Sequence, residues 1–258
     1  MRILVVTAAL LAALPALAQA NGGVWYLDVH RVAPTLEGHY KGTQNGNAVD
    51  FDLVNDLGLA KDSTQAGVAL EYQGPRFGLE LSAESQNYVG SSVLNRQVTI
   101  SGQTYDAEAQ VNSTIKVTNY TFNWTIRFIR TPGAWLGLDL GVLGTALDLN
   151  ATGYNYLGAT PAMAHFKSGL PMPQVGPSVG FTSLGGRFAL RGYYHFLDYK
   201  GATYHHAGGD LRYFPLNWLG VRAFVSTESW KVPANSVAKD LDIGLDRSGT
   251  GFGVVLRF

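Results

Sequence analysis

The chain has no cysteine among its 258 residues. That removes thiolate metal sites and thiol nucleophiles from consideration, and it removes disulfides as a source of stability. Charge of one sign is missing as well. Nineteen Lys and Arg balance nineteen Asp and Glu, so no basic face suited to nucleic acid is expected. Beyond residue 20 no apolar run approaches the ~18–20 residues of a membrane-spanning helix, and apolar residues at helical spacing are nearly absent. What the chain does hold is 31 glycines and 12% aromatic residues. A glycine-rich, aromatic-rich, cysteine-free chain without a helical span has the composition of an outer-membrane β-barrel.

The first twenty residues, MRILVVTAALLAALPALAQA, read as a secretory leader. Arg2 supplies the positive start, Ile3 to Leu14 the apolar stretch, and Ala18-Gln19-Ala20 the small-residue cleavage box. The expectation is therefore a signal peptide over 1–20 and a single barrel over 21–258.

Alternation with a period of two recurs in segments of about ten residues separated by turn signals. In NYTFNWTIRF, Asn119, Thr121, Asn123, Thr125 and Arg127 alternate with Tyr120, Phe122, Trp124, Ile126 and Phe128. Two N-x-[ST] patterns lie in this stretch, but strict alternation makes it a strand with one wet and one greasy face. Similar alternation surrounds Val29, Val68, Leu81, Leu138, Val179, Leu190, Leu211, Val221 and Val254. About ten such strands make an all-β fold, a closed antiparallel transmembrane β-barrel, with eight or twelve strands as the neighbouring even counts. Tight turns near 74–76, 130–133, 184–186 and 215–218 suit the periplasmic side. Long loops near 34–64, 90–111, 149–172 and 231–247 suit the outside, with 198–202 as a short exception. Aromatics at strand ends, such as Trp25, Tyr72, Phe77, Phe128, Trp218 and Phe258, suit girdles at the two interfaces. A soluble periplasmic β-sandwich is the rival fold.

The polar faces then line the interior. They carry Asp28, Glu71, Glu80, Glu84, Asp139, Asp210 and Glu228 against Arg127, Arg187, Arg191, Arg212, Arg222 and Arg257. All the bases are Arg, whose planar fork suits carboxylates. About eight strands leave room only for side chains, and open porins need about sixteen. A barrel of about ten is expected to be mostly filled by this charge network, and a narrow path for a small solute is the alternative. Tyr204-His205-His206 places adjacent imidazoles on opposite faces, so they do not converge on one metal. Acid-rich DFDLVND, Asp50 to Asp56, lacks an EF-hand pattern. No cofactor or metal is expected. The aromatics of 149–172, among them Tyr154, Tyr156 and Phe166 together with Met163 and His165, suit either a binding rim or a lid.

The final residues GFGVVLRF resemble the C-terminal signal of Gram-negative outer-membrane β-barrel proteins, with Phe252, Val254, Leu256 and Phe258 filling its pattern. The segments VDFDLVNDLGL (Val49 to Leu59) and SGQTYDAEAQVNST (Ser101 to Thr114) look similar to loop-and-strand edges there. The resemblance covers most of the chain and implies a bacterial outer-membrane location. The partners it implies are outer-membrane lipid and lipopolysaccharide, and the barrel-assembly machinery during biogenesis. It carries no defined activity and no surface ligand. Ten-stranded barrels include the omptin proteases, which use paired acids and an Asp–His couple at the extracellular rim. Asp28-Val29-His30 sits at the opposite end. A hydrolase built from His195, His206, Asp210 and Ser226 is geometrically thinkable, but a satisfied polar cluster is the preferred account, and the chain reads as a non-enzyme. The His-Ser motif of the outer-membrane lipid A deacylases is absent.

Overall fold

The computed structural model describes residues 23–44, 47–59, 65–100, 103–154, 162–183, 185–234 and 242–258. The leader assigned to 1–20 lies outside these residues. Thirteen strands are present among them. Ten form a closed antiparallel ring in the order β1 (Val24–Gln44), β3 (Gln65–Gln73), β4 (Phe77–Val93), β7 (Gln110–Arg130), β8 (Ala134–Tyr154), β9 (Ala162–Thr182), β10 (Phe188–Tyr199), β11 (Ala202–Tyr213), β12 (Leu219–Val232) and β13 (Asp242–Arg257). β13 pairs with β1 from Tyr26↔Arg257 to Lys41↔Asp242 and seals the ring. Closure leaves the ring no free edge, the condition for strands to live in lipid. It also settles the fold against the open sandwich.

The stretch Asn119 to Phe128 shows why the ring is a membrane barrel. Tyr120, Phe122, Trp124, Ile126 and Phe128 are exposed, while Asn119, Asn123 and Thr125 are buried. A water-soluble sheet would do the reverse. The same inversion continues round the ring at Val29, Val68, Leu81, Leu140, Val179, Leu190, Leu211, Val225 and Val254, all exposed. Nine residues from Tyr120 to Phe128, tilted by about 40°, span ~23 Å, the height of a bilayer's apolar band.

Above that band the strands do not stop. β7, β8 and β9 each run 21 residues, and in β7, β8 and β1 the alternation of apolar residues changes phase. In β7 the apolar residues point outward from Tyr120 to Phe128, but inward at Ile115 and Val117, where Lys116 is exposed. β8 changes between exposed Val142 and buried Leu143, and β1 between exposed Val29 and buried Val32 and Leu36. The cause is a change of outer solvent. Beside lipid the greasy face turns out; beside water it turns in and builds a core. This phase change corrects three of the long loops expected from sequence. Residues 34–44 belong to β1, 149–154 and 162–172 to β8 and β9, and 242–247 to β13.

Three further strands close the mouth. β2 (Asn47–Asp52) pairs with the top of β1, and β5 (Val98–Ile100) joins β2 at Asp50↔Thr99. β6 (Gln103–Tyr105) pairs with β5, and both reach β9 on the far side of the ring. The hairpin is therefore a lid across the barrel. The short exception at 198–202 is a two-residue hairpin turn. Lys200 and Gly201 have φ of 52° and 84°, the left-handed pair that matches strand twist. The wall at β10 and β11 is consequently low while β7 to β9 stand tall.

Candidate functional site: a two-storey lumen

The lower storey lies within the membrane band and is charged. Arg191 of β10 reaches Glu80 at 2.6 Å, Asp139 at 3.1 Å and Glu71 at 3.8 Å. Arg212 joins Glu71 at 2.6 Å and Asp210 at 2.7 Å. Arg222 joins Asp210 at 3.5 Å and also pairs with Asp28. β3 and β10 lie opposite one another in the ring, so the Glu71–Arg191 and Glu71–Arg212 contacts span the lumen rather than run along its wall. His195 extends the web to Asp139 at 3.0 Å, and Ser178 donates to the same carboxylate at 2.7 Å. His30 faces Asp28 at 3.5 Å and Glu84 at 3.2 Å. Gly67 stands between His30 and Glu84 in the register, and a Cβ there would collide with the imidazole. Here glycine is what lets the imidazole cross to the next strand.

Four of the expected network members lie elsewhere. Arg187 is exposed in the turn before Phe188, because β10 starts one residue later, after Gly185 and Gly186 with φ of 90° and 66°. Arg127 turns to the lower rim, beside the tight turns, where it donates to the Gly74 carbonyl at 2.7 Å and lies 4.4 Å over the Trp135 ring. Glu228 sits higher, paired with Arg247 and accepting from Trp230 Nε1 at 2.7 Å. Arg257, also assigned inward, closes the lower end over Phe214 and donates to the Gly186 carbonyl at 3.0 Å.

The upper storey is apolar. Leu36, Tyr40, Phe51, Leu53, Leu57, Leu59, Tyr88, Leu94, Val98, Tyr105, Ile115, Val117, Leu149 and Ile243 form one buried cluster inside the tall walls. The acid-rich segment Asp50 to Asp56 is its plug. Asp52 Oδ1 accepts from the amides of Val54 and Asn55 at 2.9 and 2.7 Å, which turns the chain inward. Asp56 is buried and paired with Arg96, so its charge is compensated. Tyr105 of the lid donates to the Ala151 carbonyl at 3.2 Å.

A polar layer separates the storeys. Asn119 donates to Thr145 Oγ1 at 2.8 Å and accepts from Arg247, and Arg247 pairs with Glu228. Below the layer a cavity between His30, Glu84, Tyr193, His206 and Arg222 leaves about 70 Å³ open to the centre of a water molecule. That holds a few waters, not a porin-sized path.

The hydrolase constellation does not assemble. His195 is bound to Asp139, and His206 faces Tyr193 Oη at 3.2 Å. Asp210 lies four residues from His206 along β11, ~13 Å on an extended strand, and its carboxylate is held by Arg212 and Arg222. These groups are in the middle of the lumen, not at a rim. The Asp–His pairs at the upper end, His165–Asp148 at 2.8 Å and His39–Asp242 at 3.2 Å, are exposed. Both stand on the outer face of the wall, since their neighbours Leu149, Tyr40 and Ile243 are the buried ones. His205 points outward to Tyr194 Oη at 2.8 Å while His206 points inward, as the strand period requires. Among the described residues no cluster of His, Asp and Glu fits a metal ion. Met163 and His165 are exposed on β9. Tyr156 lies outside the described residues, and Tyr154 and Phe166 are described only as strand backbone.

A sealed ring, a lipid-facing belt and a polar interior define the class: a β-barrel of the Gram-negative outer-membrane type. Solved structures agree. The outer membrane protease OmpT from Escherichia coli aligns over 92% of this chain and 96% of its own, at 11% identity and a TM-score of 0.56. Ail, the attachment invasion locus protein of Yersinia pestis, aligns over 92% and 99% at 11% identity and a TM-score of 0.37. The translocator domain of the autotransporter NalP from Neisseria meningitidis aligns over 95% and 96% at 12% identity and 0.39. At such identities the likeness speaks to the fold alone, and the first alignment carries it. No family model and no curated protein sequence matches the chain.

Proposed function

We propose that this chain is a non-porin barrel whose lumen is shut by its own side chains, and that it acts through its outer surface and rim rather than through a pore. The observation that carries this reading is the set of ion pairs from Glu71 on one wall to Arg191 and Arg212 on the other. A solute moving through would have to separate buried charges. Removing one partner of such a pair costs about 3–5 kcal/mol, and a diffusing sugar offers nothing equivalent in return. The lid and the apolar plug above add a second closure. The outer belt meets lipid and, on the outer leaflet, lipopolysaccharide. The closing strand β13, with exposed Phe252 and Val254 and terminal Phe258, is the segment the barrel-assembly machinery would read.

The protease that this chain resembles in fold does not lend its activity to this reading. The imidazole–carboxylate pairs at this chain's extracellular end face away from the lumen and share no cleft. We therefore propose a structural or surface-binding role without catalysis. Liposome swelling tests it. Vesicles carrying the protein should swell in iso-osmotic arabinose no faster than empty vesicles. Swelling that scales with protein content would instead favour a narrow channel for small solutes.

A further inference from the structure

The upper storey contains a chamber that neither the belt nor the charge network explains. Its walls are Leu36, Tyr40, Val117, Leu149, Trp230 and Leu245, drawn from β1, β7, β8, β12 and β13. Phe51 stacks on Tyr40 with ring centroids 5.8 Å apart and planes 13° from parallel, giving a flat aromatic side. About 40 Å³ is open to the centre of a water-sized sphere. Adding that sphere's radius of about 1.4 Å on every side gives roughly 150–200 Å³, the size class of cavity that holds benzene.

The polar groups at the chamber's floor decide what it can hold. Asn119, Thr145, Glu228 and Arg247 all border it. Each spends its hydrogen bonds on the others: Asn119 on Thr145 and Arg247, Arg247 on Glu228, and Glu228 also on the Trp230 indole. The two charges cancel. A water inside needs two to four polar partners, and the floor has few left to give. A charged guest would meet a neutral floor and hydrocarbon walls, and would lose its hydration without return. The walls suit a guest that asks for no hydrogen bond.

We propose that this chamber is a binding site for a small uncharged apolar molecule, of the size of a monocyclic aromatic or a short hydrocarbon. The site lies above the polar layer, so it binds without passing the guest downward. It stands independently of the closed-lumen reading: a conducting barrel could still hold the guest, and a closed one could fail to.

Crystals of the full chain pressurised with xenon, and thermal unfolding with and without toluene, test the proposal. Xenon should appear as a single peak between Tyr40, Val117, Leu149 and Trp230. Toluene should raise the wild-type unfolding temperature, since a ligand that binds only the folded state stabilises it. Val117→Phe, which fills the chamber, should lose both the peak and the toluene shift while keeping its heat-modifiable gel mobility. If that variant does not fold, Leu36→Phe serves as the filling change. Ordered waters in place of xenon would overturn the proposal. So would a toluene shift equal in wild type and filled variant, because it would come from the surrounding detergent.

Discussion

Two stretches of one strand teach most about this molecule. From Tyr120 to Phe128, β7 turns its aromatics outward and its Asn and Thr inward; from Gln110 to Thr118 the apolar residues face inward and Lys116 faces out. Both halves are paired to β4 and β8, with one bulge toward β8 between Arg127 and Ile129 at the lower end. Only the medium outside differs. The lower half is a membrane protein with a charged interior, and the upper half is built like a soluble β-protein with an apolar core. The two interiors are held by different forces. Buried ion pairs give the lower storey geometry more than net stability, while apolar burial stabilises the upper one.

That contrast can be broken from either side. The largest effect should come from Arg191→Leu, which removes the cation shared by Glu71, Glu80 and Asp139 and takes from Glu80 its 2.6 Å partner. A loss of about 3–5 kcal/mol is expected for an uncompensated buried charge, read by urea unfolding in lipid vesicles. In the upper storey Leu149→Ala removes a fully buried side chain from the apolar cluster and should cost about 2–5 kcal/mol. Its signature should be local: faster amide exchange and proteolysis in the lid, residues 94–109, with exchange in β10 and β11 unchanged. Uniform loosening of both storeys would mean they are one cooperative unit.

Smaller effects sharpen the boundary. Trp124→Arg puts a charge on the outer face at mid-band and should cost about 2–4 kcal/mol. Thr114→Arg, on the same face ten residues higher, should stay within about 0.5 kcal/mol. Equal penalties at the two positions would show that the phase change does not mark the edge of the bilayer. Smallest of all, Gly201→Ala at φ 84° should cost about 1 kcal/mol, seen as a small drop in the urea midpoint.

Much of this was legible in the sequence. The alternating faces, the ring of about ten, the tight turns and the inward positions of Glu71, Glu80, Asp139, Arg191, Asp210 and Arg212 all follow from a period of two and its interruptions. The template of apolar-outward, polar-inward strands carried the reading only as far as the membrane edge. Beyond it the same strands, read with that template, looked like loops. The missing signal is present in IKVTNYTFNW: Ile115 and Val117 hold odd positions, then Tyr120, Phe122 and Trp124 hold even ones. That slip of one marks where lipid gives way to water. Arg247 was missed for the same reason, since it lies on the inward face of β13 above the apolar stretch that was read as a strand. Pairings across the lumen, such as Glu71 with Arg212, depend on ring size and strand stagger, which no local pattern encodes. Nor does composition show that the acids of Asp50 to Asp56 turn and anchor a plug, because that depends on Arg96 arriving from another loop.

Single-channel recording on the refolded full chain in planar bilayers is the most direct test of the shut lumen. The account predicts a quiet membrane, with no stable unitary steps at moderate voltage. Reproducible unitary steps from the wild-type protein would contradict it, because ions would then be crossing a lumen whose opposing walls are tied together by Glu71, Arg191 and Arg212.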